Sequence, residues 1–288
     1  MTRQREGKTP MAMNSVNTNL GAQVALQSMN RTNDMLSATQ KRISTGYRVS
    51  DAKDDGAAFA VAQTVRADIA GLTSANEQMG SVQGILDTTL AGLNKVSESM
   101  TELRGVLVKL ADGTLSDSQR SQYQSQYESI RTQVQNFVTD ATYNGRTLLT
   151  TSTAAGGGSI ATTRNERATL YTLTAVEGAS TLVVAAAPTD AAGAASALAS
   201  SGDFTTTMTA VNSALNTFGN ASNYLENQMS YNKEKLDSLN TGLGSLIDAD
   251  LAKESAALQA LQIKQQLGTQ ALGIANQSPQ GLLSLFRG

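Results

Sequence analysis

The chain has 288 residues with 22 basic and 24 acidic side chains, a formal net charge of −2, and no His, Cys or Trp. Those absences exclude Cys/His zinc and haem sites, thiol nucleophiles, disulfides and imidazole triads, and the balanced charge leaves no Lys/Arg run dense enough to neutralise a nucleic-acid backbone. With aromatics at 4% and apolar residues at 40%, the apolar weight rests on Ala, Leu, Val and Met, which favours long helices, in a rod or a bundle.

The first ten residues, MTRQREGKTP, carry three basic side chains but no apolar stretch behind them, so they do not read as a general secretory signal. They are expected to be a disordered extension. From residue 11 to 45 a helix is predicted, with a seam of Ala22, Ala25, Met29, Thr32, Leu36, Thr39 and Ile43. The strongest periodicity follows. Val65, Leu72, Met79, Leu86, Leu93, Met100 and Leu107 recur every seven residues, the spacing of a coiled-coil seam. The companion position holds Ile69, Asn76, Gln83, Leu90, Ser97 and Arg104, and its polar members can set register and partner choice. A helix over 65–107 would be about 65 Å long, against a diameter near ~50 Å for a compact chain of this length. The molecule is therefore expected to be elongated unless Gly71, Gly80, Gly84 or Gly92 breaks the helix.

Asp112, Gly113 and Thr114 predict a turn, and Ser116 or Asp117 a cap. Tyr123, Tyr127, Ile130, Val134 and Phe137 mark the return helix. A turn signal at Tyr143-Asn-Gly-Arg146 closes this helical half. Residues 151–210 differ in kind, being two-thirds Ala, Thr, Ser and Gly. Strands are predicted at 168–174 and 180–184, forming a small hairpin sheet, with Gly156, Gly157 and Gly158 as a loop. The apolar run Thr181 to Ala187 falls far below the roughly 18 residues of a membrane span, so no membrane insertion is expected. A further helix over 207–239 presents Met208, Val211, Leu215, Leu225, Met229 and Leu236.

The C-terminal segment carries two apolar stripes on one helix. The first is Leu251, Leu258, Leu261 and Leu272; the second is Ala256, Ala260, Ile263, Leu267 and Ile274. A helix with two stripes must be covered on two sides, and one N-terminal helix covers only one. Each large side chain left in water forgoes roughly 1.5–3 kcal/mol of burial, so either other copies of the chain cover the second stripe or the ends stay disordered until assembly. The fold class is mainly α: an elongated antiparallel helical bundle or coiled coil built from both termini, with a small β-containing middle region.

Chemical constellations are few. Asp54-Asp55 and the set Asp248, Asp250 and Glu254 lack the ligand spacing of a calcium loop, and Asp248 and Asp250 read better as helix caps. Gly156–Gly158 lacks the Lys-Ser/Thr and helix of a phosphate cradle. The glycosylation patterns at Asn30, Asn220 and Asn276 fall in predicted helices, where a glycan would block packing. No catalytic residue, cofactor or metal is expected, and the chain does not read as an enzyme.

Several ordered motifs resemble bacterial flagellin. MAMNSVNTN from Met11 to Asn19, ISTGYRVSDAKDDGAA from Ile43 to Ala58 and YNGR from Tyr143 are similar to its N-terminal half. LIDADLAKE from Leu246, QQLG from Gln265, ALGIANQSPQ from Ala271 and LLSLFR ending at Arg287 are similar to its C-terminal end. The forms LADGT and LAKESA, around a short Ala/Thr-rich centre, look like alphaproteobacterial members. The resemblance implies a self-assembling filament subunit for swimming motility, secreted unfolded through the flagellar type III apparatus to the extracellular flagellum. It implies terminal helices over 11–45 and 247–288 forming the filament-core coiled coil, an inner helical bundle over 46–149 and 207–246, and a variable surface region over 150–206. It also implies an export chaperone on the segment 251–287, and hook-associated and cap proteins as partners. The packing residues would be Ala25, Met29, Leu36 and Ile43 with Leu251, Leu258, Leu261, Ile263, Leu267, Leu272 and Ile274. Family members usually begin at the position of Met11, so residues 1–10 resemble an upstream start or an added tag. The receptor-recognition stretch of many flagellins, QRVRELAV, corresponds to Thr101–Val108 here, with Glu102 where the family has Arg, then Arg104 and Val106. That charge reversal implies weak activation of the flagellin-sensing Toll-like receptor. A hook-filament junction protein is the neighbouring alternative, and a membrane-inserting helical effector would need an apolar segment that is absent. The zinc protease of some flagellins needs an HExxH helix, which a chain without His cannot form.

Overall fold

The computed structural model describes residues 19–285, with side chains as far as Gln277. The N-terminal extension over 1–10, most of the first flagellin-like motif and the last residues of the closing motif lie outside the described residues. The elements in chain order are α1 (Leu20–Thr45), α2 (Gly56–Leu110), α3 (Asp117–Asp140), β1 (Ile160–Thr163), β2 (Leu170–Leu173), α4 (Gly178–Thr181), α5 (Ala191–Leu198), α6 (Asp203–Ile247) and α7 (Leu251–Leu285). The chain divides into two compact units, one of residues 1–65 with 241–288 and one of 66–240. The dividing points fall inside α2 and α6, whereas the 45/46 and 246/247 boundaries that the resemblance implies lie at the end of α1 and in the last turn of α6.

In the second unit α2 is one unbroken helix, in which Gly71, Gly84 and Gly92 are packing sites rather than breaks and Gly80 has open space beside it. A Cβ at Gly92 would stand 2.7 Å from the Ala141 Cβ, and one at Gly84 would stand 3.0 Å from the Tyr143 ring. Leu72, Met79, Leu86, Leu93, Met100 and Leu107 are all fully buried. The companion position is corrected. Ala75, Val82, Val96, Leu103 and Leu110, together with Thr89, lie three residues on from the seam and are buried, whereas Asn76, Gln83, Leu90 and Ser97 sit half-buried and Arg104 is exposed. Ile85 and Val106 are buried as well. A helix covered on so wide a face is packed by several neighbours, as in a bundle, rather than by one strand of a two-stranded coil.

Ser116 caps α3 through a capping box with Gln119, and Tyr127, Ile130, Val134 and Val138 enter the core. The segment between α3 and α6 departs most from expectation. The hairpin is real, but it pairs Ile160–Thr163 antiparallel with Leu170–Leu173; Ala168, at φ 55°, belongs to the turn. The run 180–184 is not a strand. Its first two residues end α4, and the bend that follows buries Leu182 and Val184 in the core, where α3 receives it through Arg131 Nε donating to the Val184 carbonyl. Leu148, Leu149, Ile160, Leu173 and Ala194 join the same apolar cluster, so this region forms part of the core as well as surface. Asp190 caps the short α5 by accepting from the Gly193 N–H. The helix predicted over 207–239 extends in both directions, starting at Asp203 with Phe204 buried and continuing to Ile247.

Candidate assembly interface

The first unit pairs α1 with α7. Three polar links fix their antiparallel sense. Asn19 Nδ2 donates to the Ala275 carbonyl at 2.7 Å, Gln265 Nε2 to Asn33 Oδ1 at 2.8 Å, and Arg42 pairs with Glu254 at 3.3 Å. Along α1 the inward residues are Ala22, Ala25, Met29, Thr32, Leu36, Thr39 and Ile43, all buried or half-buried. The buried Thr32 satisfies its hydroxyl on the Ser28 carbonyl one turn back. On α7 the answering stripe is Leu258, Leu261, Gln265 and Leu272, with Leu261 only 8% exposed.

The second stripe of α7 is open. Ile263, Leu267 and Ile274 are 57%, 58% and 71% exposed, and Ala256 and Ala260 are exposed beside them. Leu251, assigned by spacing to the first stripe, is also half in solvent. The outer side of α1 adds Leu20, Val24, Leu26 and Met35. Leu20, Val24 and Met35 share one face of α1, away from the seam, with Leu26 apart from them.

Where α1 turns into α2, the loop is held by charge and backbone. Gly46 ends α1 at φ 74° and returns its N–H to the Arg42 carbonyl. Tyr47 bridges Asp248, and Arg48 and Val49 donate their N–H groups to the Ile247 carbonyl. Val49, Ala58, Ala62 and Ile247 form a small apolar cluster beneath. Lys41 reaches Asp51 at 2.7 Å and Asp54 at 3.1 Å. The Ser50 N–H and hydroxyl, and then Lys41, hold the Asp54 carboxyl far below the usual carboxylate range, while Lys41 first and the Lys53 N–H second lower Asp51. The same ion pairs, Asp51 foremost, raise Lys41. Asp55 caps α2 at the Ala57 and Ala58 N–H groups, and Asp250 caps α7 at Ala252 and Lys253. Of the carboxylates considered for metal chemistry, Asp54 anchors the loop, Asp55 and Asp250 cap helices and Glu254 pairs with Arg42. Asp248 is no cap; it forms the bridge to Tyr47.

In the second unit Glu102 and Arg104 are exposed on α2, and Val106 is buried at 4%. Of the three receptor-stretch positions, only the two charged ones face outward. The seam residue Val65, which lies in the first unit, is half-buried.

A covered stripe and an open stripe on one terminal helix are what a self-assembling structural subunit presents. Comparison with known proteins agrees. The bacterial flagellin N-terminal helical region matches residues 16–154 and the bacterial flagellin C-terminal helical region matches 203–286. Flagellin FljK of Caulobacter vibrioides is 35% identical over 282 residues, covering 96% of this chain and all of that protein. A flagellin of Brucella melitensis is 34% identical over 292 residues, with 96% and 100% coverage. In fold, the chain is similar to a solved flagellar hook-associated protein of Vibrio parahaemolyticus, at TM-score 0.56 and 16% identity over 68% of this chain and all of that one. That likeness is one of fold alone, while the full-length relatives are flagellins. This chain belongs to the bacterial flagellin family.

Proposed function

We propose that this chain works by polymerisation, as the repeating subunit of a bacterial flagellar filament, with the α1/α7 pair as its polymerising element. The open stripe of α7, beside a stripe already occupied by α1, carries the reading. Four large apolar side chains in water, Leu251, Ile263, Leu267 and Ile274, each forgo roughly 1.5–3 kcal/mol of burial. A second copy of the chain supplies that burial, and a head-to-tail contact that does not close on itself generates a helical filament. Ala25, Met29, Leu36 and Ile43 pack with Leu258, Leu261 and Leu272 within the pair. Family resemblance supports the remaining steps: export of the unfolded chain through the flagellar type III apparatus, a chaperone on the segment 251–287, and hook-associated and cap proteins at the ends of an extracellular filament. The role is mechanical, with no catalysis. A chain ending at residue 250 is expected to stay soluble and to form no filaments when seeded under negative stain; filaments from it would overturn the proposal.

A further inference from the structure

We infer that Asn232 and Asn76 form a polar layer that selects the pairing register of α2 and α6, with the loop between β1 and β2 as its third member. The buried face of α6 repeats every seven residues as Phe204, Val211, Phe218, Leu225 and Asn232, all 3% exposed or less. The buried face of α2 repeats at the same interval through Leu72, Met79, Leu86, Leu93, Met100 and Leu107. Two matching seven-residue repeats are nearly degenerate, since sliding one helix by seven residues again sets apolar residues on apolar residues.

Asn232 breaks the degeneracy. Its Nδ2 donates to Asn76 Oδ1 at 3.0 Å and to the Arg164 carbonyl at 2.9 Å, and its Oδ1 accepts from Gln228 Nε2 at 3.0 Å. Sliding α6 by one repeat exchanges Asn76 for Ile69 or Gln83. Ile69 has no acceptor, and a buried amide without partners is strongly disfavoured. Gln83 has a buried Oε1 with no partner, so side chains alone leave that slip open. The loop closes it, because a slip of seven residues moves Asn232 about 10 Å along the helix, away from the Arg164 carbonyl. The hairpin, loop and strand end together, is keyed to both helices. Thr163 donates to Gln78 Oε1 at 2.8 Å, the Glu166 backbone packs where a side chain on Gly71 would stand, and Lys235 pairs with Glu166 at 2.8 Å.

The chain has no cysteine, so introduced pairs report register directly. In the full-length protein, Gln83→Cys with Ser222→Cys reads the native register, whose side chains hydrogen-bond at 2.7 Å. Gln83→Cys with Leu215→Cys or Met229→Cys reads the two slipped registers. In an Asn76→Leu/Asn232→Leu background we expect helix content and melting temperature to hold or rise, while the slipped-to-native cross-link ratio rises about tenfold, the shift that loss of one buried polar match sets. The same ratio is read in an Asn232→Ala background. Native-only cross-linking in either background would overturn the inference. So would unfolding of the leucine variant, which would show the layer holding the fold together rather than choosing its register.

Discussion

Tyr127 shows how one side chain joins core and loop. Its ring is buried while its hydroxyl donates to the Ala185 carbonyl. Burial foremost, then the Glu128 charge, pushes its pKa up to about 12. A group whose folded pKa is raised contributes stability that is fully present below its unfolded value near ~10 and is lost as pH climbs through the folded value. Alkaline titration should therefore show Tyr127 ionising late in the folded chain, beside Tyr171, which burial also raises, with stability falling between about pH 10 and 12. Tyr127→Phe should diminish the late ionisation, and an unchanged titration curve would refute the assignment. Glu102 makes a second prediction at this scale. It is exposed on α2, and if this stretch meets a receptor as the resemblance implies, its negative charge would oppose a contact built for Arg. Reporter cells bearing the flagellin-sensing Toll-like receptor should respond weakly, and Glu102→Arg should raise the response. A full response from the unaltered protein would contradict this.

At the scale of the element, the seven-residue repeat of α2 was legible, but its partner face was not. Spacing alone admits a companion three or four residues on. The chosen position, with Asn76, Gln83, Ser97 and Arg104, reads as polar interruption because it borders the buried face. Leu103 is fully buried and the adjacent Arg104 exposed. Leu103→Ala should cost about 2–5 kcal/mol in chemical denaturation, and Arg104→Ala no more than about 0.5 kcal/mol; equal costs would restore the other companion. The run 180–184 misled for a related reason. Runs of aliphatic and β-branched residues mark burial as well as strand, and here Leu182 and Val184 are buried by α3 and the core outside any strand. Asn232, in a helix marked out only by its apolar residues, gave no signal in sequence, because its role depends on a carbonyl far away in the chain.

At the scale of the whole molecule, the double stripe of the C-terminal segment was readable except at Leu251, which spacing sets on the covered stripe and the fold leaves half in solvent. Counting apolar faces against available helices predicts one left over, and the structure leaves Ile263, Leu267 and Ile274 in solvent while α1 covers Leu258, Leu261 and Leu272. What counting missed were the polar links Asn33–Gln265 and Arg42–Glu254, which are single residues without pattern. Polymerisation through that open face is the central proposal for this chain, and one measurement tests it most directly. Ile263→Asp, Leu267→Asp and Ile274→Asp together alter only exposed positions, so the purified monomer should keep its helix content and melt as before. Seeded under conditions that polymerise the native chain, it should give no filaments by electron microscopy. Filaments of ordinary length from this folded variant would contradict the claim that the second stripe of α7 is where copies of the chain meet.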